Sequence, residues 1–239
     1  MKEILQYCID YCQKQRVDYG DVRGERYYNE FVSLVNGELD KSFTVRKNGV
    51  GIRVLYDGAW GFASINAPRL DTIREAIERA LSQAKMTSKR TRNPVELAPV
   101  EIYRDKVEAS RRIDIKDYSI TDKIKDAEEI EKEYHVTNDV KETMLNYTGI
   151  QFDKTFLSTE GADLSFSNNV IWFEMKASAS RGGERGSYAM FHGACKGYEF
   201  IEEDDVHSVA RNVGEKAVAL IDAEYAPTMK DIPIIFDPS

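Results

Sequence analysis

Hydrophobic and polar positions along the chain change period several times. Over residues 2–16, Ile4, Leu5, Cys8, Ile9 and Cys12 recur at helical spacing and leave a polar opposite face, which predicts an amphipathic helix. From Tyr19 the pattern shortens to β-type runs over 21–28, 30–35, 41–46, 50–56 and 59–65. Asn36-Gly37, Asn48-Gly49 and Asp57-Gly58 fall between those runs. Such dipeptides favour type I′ hairpin turns, whose two central residues need positive φ, so an antiparallel meander is expected. Residues 69–86 return to helical period, with Leu70, Ile73, Ile77, Leu81 and Ala84 on one face. The stretch 87–99 is polar, contains two prolines and reads as a connector.

The second half repeats this order. Residues 115–135 predict a charged helix, with Asp126, Glu128, Glu129, Glu131 and Glu133 on a solvated face among lysines. Strand runs follow over 137–147, 150–158, 163–180 and 186–199, with turns at Thr159-Glu160-Gly161 and Arg181-Gly182-Gly183. A helix is expected over 204–223, its acidic start at Glu202–Asp205 suiting the positive end of the helix dipole. A short apolar strand is expected over 232–236. Adjacent strands rather than strict βαβ alternation predict an α+β fold of antiparallel meanders packed with amphipathic helices. Two units are expected, 1–95 and 96–239, each running helix, strands, helix.

Composition narrows the class of protein. Of 239 residues, 42% are hydrophobic and 31% charged, which fits a globular chain and excludes a disordered or collagenous one. Thirty-three basic against 41 acidic side chains give a net charge of −8, arguing against a general nucleic-acid binder. No apolar run reaches the roughly 18–20 residues of a membrane span, and Glu3 and Asp10 in the first helix do not suit a secretory signal. Three cysteines make no disulfide framework. A reduced, cytoplasmic protein is the expectation.

Most catalytic signatures are missing from the chain. It has no GxxxxGK[ST], GxSxG, HExxH or HExxxH, and Gly49-Val50-Gly51 lacks the third glycine of a dinucleotide fingerprint. Cys8 and Cys12, one helical turn apart, could share a metal, but they lie on the apolar stripe and read as core. Cys195 reads as a strand cysteine packed in the core, and His192 three positions earlier would face the other side of that strand. The basic tip Arg181-Gly182-Gly183-Glu184-Arg185-Gly186 could grip a carboxylate or phosphate, or serve only as a hairpin turn.

One segment is distinctive. Val45-Arg46-Lys47-Asn48-Gly49-Val50-Gly51-Ile52-Arg53-Val54-Leu55-Tyr56-Asp57-Gly58-Ala59-Trp60-Gly61-Phe62-Ala63-Ser64 resembles the N-terminal region of the TldD/PmbA family, whose members carry a similar "GvgvRv…dG.wGfAs" stretch. The later Thr159-Glu160-Gly161 turn, the Ala210, Ala217, Leu220, Ala223 helix pattern and the Pro233, Asp237-Pro238 strand fit the same register. The resemblance implies a two-domain zinc peptidase acting on small or unfolded polypeptides, working as a homodimer or a heterodimer with a paralogue. It places the zinc-binding HExxxH in a C-terminal half outside this chain, so no catalytic or metal residue is carried over. This chain would then be a non-catalytic domain that shapes the substrate chamber and the dimer. Nucleic acid and membrane are not expected partners. Arg53, Trp60, Glu160, Arg181 and Arg185 are the candidate substrate or interface residues, and a cation–π contact between Arg53 and Trp60 is open. Exposed strand edges would bind peptide by β-augmentation. The alternative is a stand-alone binding or regulatory module that partners a catalytic subunit.

Overall fold

The computed structural model describes residues 1–224, 230 and 233–235. Helix α1 (Lys2–Lys14) is followed by strands β1 (Tyr19–Val35), β2 (Glu38–Tyr56) and β3 (Ala59–Asn66), then helix α2 (Leu70–Ser88). After the connector come β4 (Arg104–Glu108), α3 (Ile120–Lys132), β5 (Val140–Ser158), β6 (Asp163–Arg181), β7 (Glu184–Ala194), α4 (Phe200–Glu203) and α5 (Val206–Ala219). The fold is α+β. All seven strands join one sheet in the order β3-β2-β1-β5-β6, with β4 and β7 sharing the outer edge of β6. Every pairing is antiparallel except β4 with β6.

Asn36-Gly37 and Asp57-Gly58 form two-residue hairpins with φ of 53° and 78°, and of 47° and 69°. Gly182-Gly183 makes a third, at 61° and 93°. Asn48-Gly49 does not turn. Neither residue takes positive φ, and β2 runs straight through them, Asn48 opposite Arg26 and Gly49 opposite Glu25. A turn there would forfeit the ladder bonds that the unbroken β1 offers along its whole length. For the same reason the separate runs expected over 21–28 and 30–35, and over 137–147 and 150–158, are single strands, β1 and β5.

The helices all pack on one face of the sheet. One cluster places Leu5, Cys8, Ile9 and Cys12 of α1 and Ile73, Ile77 and Leu81 of α2 over Val22, Val50, Ile52 and Val54. The other places Ala127 and Ile130 of α3 and Ala210, Val213 and Ala217 of α5 over Val32, Leu34, Leu145, Phe173 and Met175. Leu70, expected on the buried stripe of α2, lies at its first turn and is 61% exposed. The expected 204–223 helix is α5, which Asp205 caps by accepting from the Ser208 N–H, and the short α4 precedes it as an element the pattern does not predict. The 186–199 run ends as a strand at Ala194. Of the expected 232–236 strand, residues 233–235 form no strand, and 232 and 236 lie outside the described residues.

Helix α3 is less solvated than its charge implies. Lys123 and Glu131 are buried, Lys123 pairing with Glu30 of β1 and donating to the Ile115 carbonyl, while Glu131 accepts from the Thr143 hydroxyl. Burial pushes the Lys123 ammonium below its usual range, against the opposing pull of Glu30. Ahead of α3, the buried Glu199 accepts from the N–H groups of Arg112, Ile113 and Gly197 at 3.0, 2.8 and 3.1 Å. Burial raises its carboxyl, but those backbone donors outweigh it and hold the group below its usual value.

Two glycines let helix backbone touch strand. A Cβ at Gly61 of β3 would sit 1.9 Å from the Ala80 carbonyl oxygen of α2, and one at Gly186 of β7 would sit 2.3 Å from that of Ala217 in α5. A Cβ at Gly51 would meet nothing within 4 Å. Gly61→Ala should therefore destabilise by about 3 kcal/mol or more, and Gly51→Ala should change stability by no more than about 0.5 kcal/mol. Urea midpoints of the two variants check this, and equal midpoints would remove the packing explanation.

Candidate functional site

The helix-free face of the sheet carries the odd positions of β1 and β2 and the even positions of β3, β5 and β6. It is rich in aromatic side chains. Phe31 stacks on Phe43 at 5.1 Å between centroids, Trp60 lies 6.1 Å from Phe62, and Phe152 lies 5.8 Å from Phe166. Phe43, Phe62, Phe166 and, on β7, Phe191 are exposed. An apolar face of this kind on an otherwise charged surface marks an interaction site.

A cavity of about 740 Å³ opens on this face. Gly49 and Gly51 put no side chain on its floor, and Arg23, Lys154, Phe156 and Phe166 form its walls. The Arg23 guanidinium stands 5.4 Å from the Phe156 ring centroid and the Lys154 ammonium 4.8 Å from that of Phe152. The two glycines of the distinctive segment thus leave main chain open inside an aromatic trough whose charged rim is Arg23, Glu25 and Lys154.

Arg53, next along β2, faces the same side. Its Nε donates to both carboxylate oxygens of Asp21, at 3.1 and 2.8 Å, and its Nη2 also donates to Asp21. The Asp21 side chain is fully buried and that of Arg53 is 36% exposed. The hydrogen bonds to Asp21 hold the Arg53 guanidinium above its usual pKa, against some loss from burial. Register sets Arg53 opposite Phe62 and Leu55 opposite Trp60, so Arg53 and Trp60 are diagonal neighbours, with the guanidinium 5.1 Å from the Trp60 ring. Tyr19 meets Trp60 edge-on at 6.0 Å. Burial, and then Asp21, push the Tyr19 hydroxyl up to about 12.

Glu160 lies at this end of the sheet, close enough to Tyr19 to add slightly to that rise. Its turn docks on β1, where Thr159 exchanges hydrogen bonds with Gly20 at 2.8 and 3.0 Å. Arg181 and Arg185 sit elsewhere, at the β6–β7 tip, toward the opposite end of the nineteen-residue β5. Arg181 pairs with Asp139 and Asp222, at 3.2 and 2.6 Å, and Arg185 pairs with Glu142. The structure brings Arg53, Trp60 and Glu160 together and leaves the two tip arginines apart. Asp21, which sequence reasoning missed, is the group that fixes Arg53. Its signal was an acidic residue opposite an arginine, legible only once the register is known.

Cys8 and Cys12 are buried in the core, where burial pushes their thiols up to about 12 and about 11. Cys195, expected in the core, is exposed, because it continues the odd positions of β7, all of which face solvent. His192 packs on Phe200 and contacts the Asp204 carbonyl at 3.3 Å. Among the described residues, no three His, Cys, Asp or Glu side chains converge as metal ligands, and no helix is long and apolar enough to cross a membrane.

Comparison with known proteins adds two matches to family models. PmbA/TldA metallopeptidase domain 1 matches residues 20–84, and the PmbA/TldA metallopeptidase central domain matches residues 113–221. A curated metalloprotease of Methanothermobacter thermautotrophicus is 28% identical over 228 residues, 94% of this chain and 48% of that protein. Metalloprotease MJ0996 of Methanocaldococcus jannaschii is 24% identical over 223 residues, 92% of this chain and 48% of that protein. The chain thus spans about half the length of the curated relatives it matches. Among solved structures, TM0727 of Thermotoga maritima has a TM-score of 0.74 at 18% identity, covering 95% of this chain and 50% of that one. TldE of Thermococcus kodakarensis has a TM-score of 0.70 at 15% identity, covering 89% and 47%. These structures share the fold.

Two outcomes follow from the site geometry. Arg53→Met leaves the buried Asp21 carboxylate with only Arg23, 3.9 Å away, as counter-charge and should destabilise by about 2 kcal/mol, and the Asp21→Asn/Arg53→Met pair should recover most of that loss in urea unfolding. An aromatic-disulfide thiol reagent should modify Cys195 under native conditions and reach Cys8 and Cys12 only on unfolding, giving one fast thiol of three.

Proposed function

The chain belongs to the PmbA/TldD metallopeptidase family, and from that premise we propose that it is the non-catalytic, N-terminal part of a zinc-dependent peptidase of small or unfolded polypeptides. In this reading the two units, 1–95 and 96–239, wall the substrate chamber and contact a second family chain, identical or paralogous, in the cytoplasm. The observation that carries it is the helix-free sheet face, with its glycine-floored trough and its open strand edge.

That edge has a physical role to match. β3 pairs only with residues 49–56 of β2, so the outer side of 38–48 presents main-chain N–H and C=O groups without a strand partner among the described residues. An extended peptide added there would continue the line of β3 and bind through main-chain hydrogen bonds, which are indifferent to its sequence. Phe43 on that edge and Phe31 beside it offer apolar contact to alternate side chains of the peptide. Asp40, Lys41 and Lys47 keep the same edge charged and hinder edge-to-edge association of the folded chain.

The donor set described above does not fit a metal, so no hydrolytic step is assigned to these residues. The zinc that the family resemblance implies would be held outside this chain.

Hydrogen–deuterium exchange with an unstructured peptide should show protection within 38–48 and around the trough. Absence of protection across 41–65 and 163–200 would overturn the peptide-binding role. The 239-residue chain with added zinc should not hydrolyse that peptide, and hydrolysis abolished by a chelator would overturn the non-catalytic assignment. Intact mass of the protein from its own cells separates this reading from a stand-alone binding module. A mass well above that of 239 residues, with a peptide carrying HExxxH, supports the first.

A further inference from the structure

A separate cavity, of about 500 Å³, opens on the helix-bearing side of the sheet, at the polar row between the two hydrophobic clusters. That row crosses four strands, with Arg46 of β2 opposite Tyr28 of β1, Tyr28 opposite Gln151 of β5, and Gln151 opposite Asn169 of β6. Arg26, Arg46, Lys47 and Lys116 all line the cavity. Two of the acidic groups nearby are engaged elsewhere, Asp114 with Arg111 and Glu30 with Lys123, whereas Asp153, which accepts from the Ser167 hydroxyl, lines the cavity opposite Arg26. Among the described residues none of the four cations has an ion-pair partner, in a chain whose net charge is −8.

Two features make this more than a basic patch. The Arg46 guanidinium and the Lys116 ammonium both stand over the Tyr28 ring, 5.3 and 5.1 Å from its centroid, so two like charges converge on one ring. The row beneath them is buried and incompletely bonded. Gln151 is 4% exposed with its Oε1 unpartnered, and its Nε2 reaches only Asp114, at 3.5 Å. Asn169 is fully buried, and neither polar atom of its amide has a partner. Buried amides normally find partners, and converging cations normally find an anion.

We propose that this cleft is an oxyanion-binding site, taking a single carboxylate or phosphate group of a small ligand. Arg46 and Lys116 supply the counter-charge, Arg26 adds to the attraction, and the second N–H of the Gln151 Nε2, whose other hydrogen reaches Asp114, donates to one oxygen. Planar guanidinium donors with a neighbouring ammonium suit either group. The site lies on the face opposite the glycine-floored trough and stands whether or not the chain serves a peptidase.

Titration of the nitrogen-15-labelled 239-residue chain with inorganic phosphate and, separately, with acetate tests the site by NMR. At least one anion should shift the Gln151 and Asn169 side-chain amide resonances with saturation, and the tighter of the two identifies the group. Arg46→Gln and Lys116→Gln, both at exposed positions that keep the fold, should each weaken that binding by about tenfold, equivalent to about 1.4 kcal/mol, and added chloride should weaken it further. Arg46→Lys should restore part of the loss. The assignment falls if neither anion saturates, or if saturation is unchanged in both glutamine variants.

Discussion

The antiparallel register between β1 and β5 is the constraint on which the rest of the architecture depends. It sets Val22 opposite Leu157 and Leu34 opposite Leu145, bringing the alternating patterns of the two halves into phase. A slip of one residue would send every apolar position of one half to the other side of the sheet. With the phase kept, α1 and α2 cover one end of a face and α3 and α5 cover the other, and among the described residues no helix is left for the opposite face. The bare aromatic face therefore follows from the register. β1 serves both cores, giving Val22 to one and Val32 and Leu34 to the other, with Tyr28 and Glu30 between them.

Much of this was legible in the sequence because the signals were local. The amphipathic helices follow from a 3.6-residue period, and the true hairpins follow from residues that tolerate positive φ. Asn48-Gly49 carries the same dipeptide as Asn36-Gly37 and yet lies inside a strand, because a flanking strand with no matching turn decides the conformation. The distinctive segment singled out Arg53 and Trp60, but whether they meet was decided only by the β2–β3 register, which sets them diagonally across one face. What stayed hidden was long-range. Lys123 reads as one more charge on a charged helix until Glu30, 93 positions earlier, is found beside it in the core. Asp21 is likewise unremarkable until β2 brings Arg53 against it. Cys195 looked like a core residue because nothing local marks which face of β7 is exposed.

The two halves share more than an element order. In each, a glycine on the third strand of the meander meets a carbonyl of the helix that follows: Gly61 with Ala80, and Gly186 with Ala217. Both contacts bring a helix closer to the sheet than any side chain allows. The pairing of β1 with β5 then sets the halves head to tail, so the same design supplies two helical covers over one continuous sheet. The buried pair of Lys123 and Glu30 ties α3 to the strand both halves share.

The shared strand also bears on the order of assembly. Every hairpin joins neighbours in the chain, whereas the β1–β5 seam must find residues far apart, from Val35 with Met144 to Asp21 with Ser158. Loop-closure entropy makes the seam the slow, non-local step, and it is favourable only after each hairpin has formed its own ladder. Until the seam closes, both β1 and β5 have one bare edge each, so the intermediate is most exposed to mispairing along the strands that later form the centre of the sheet.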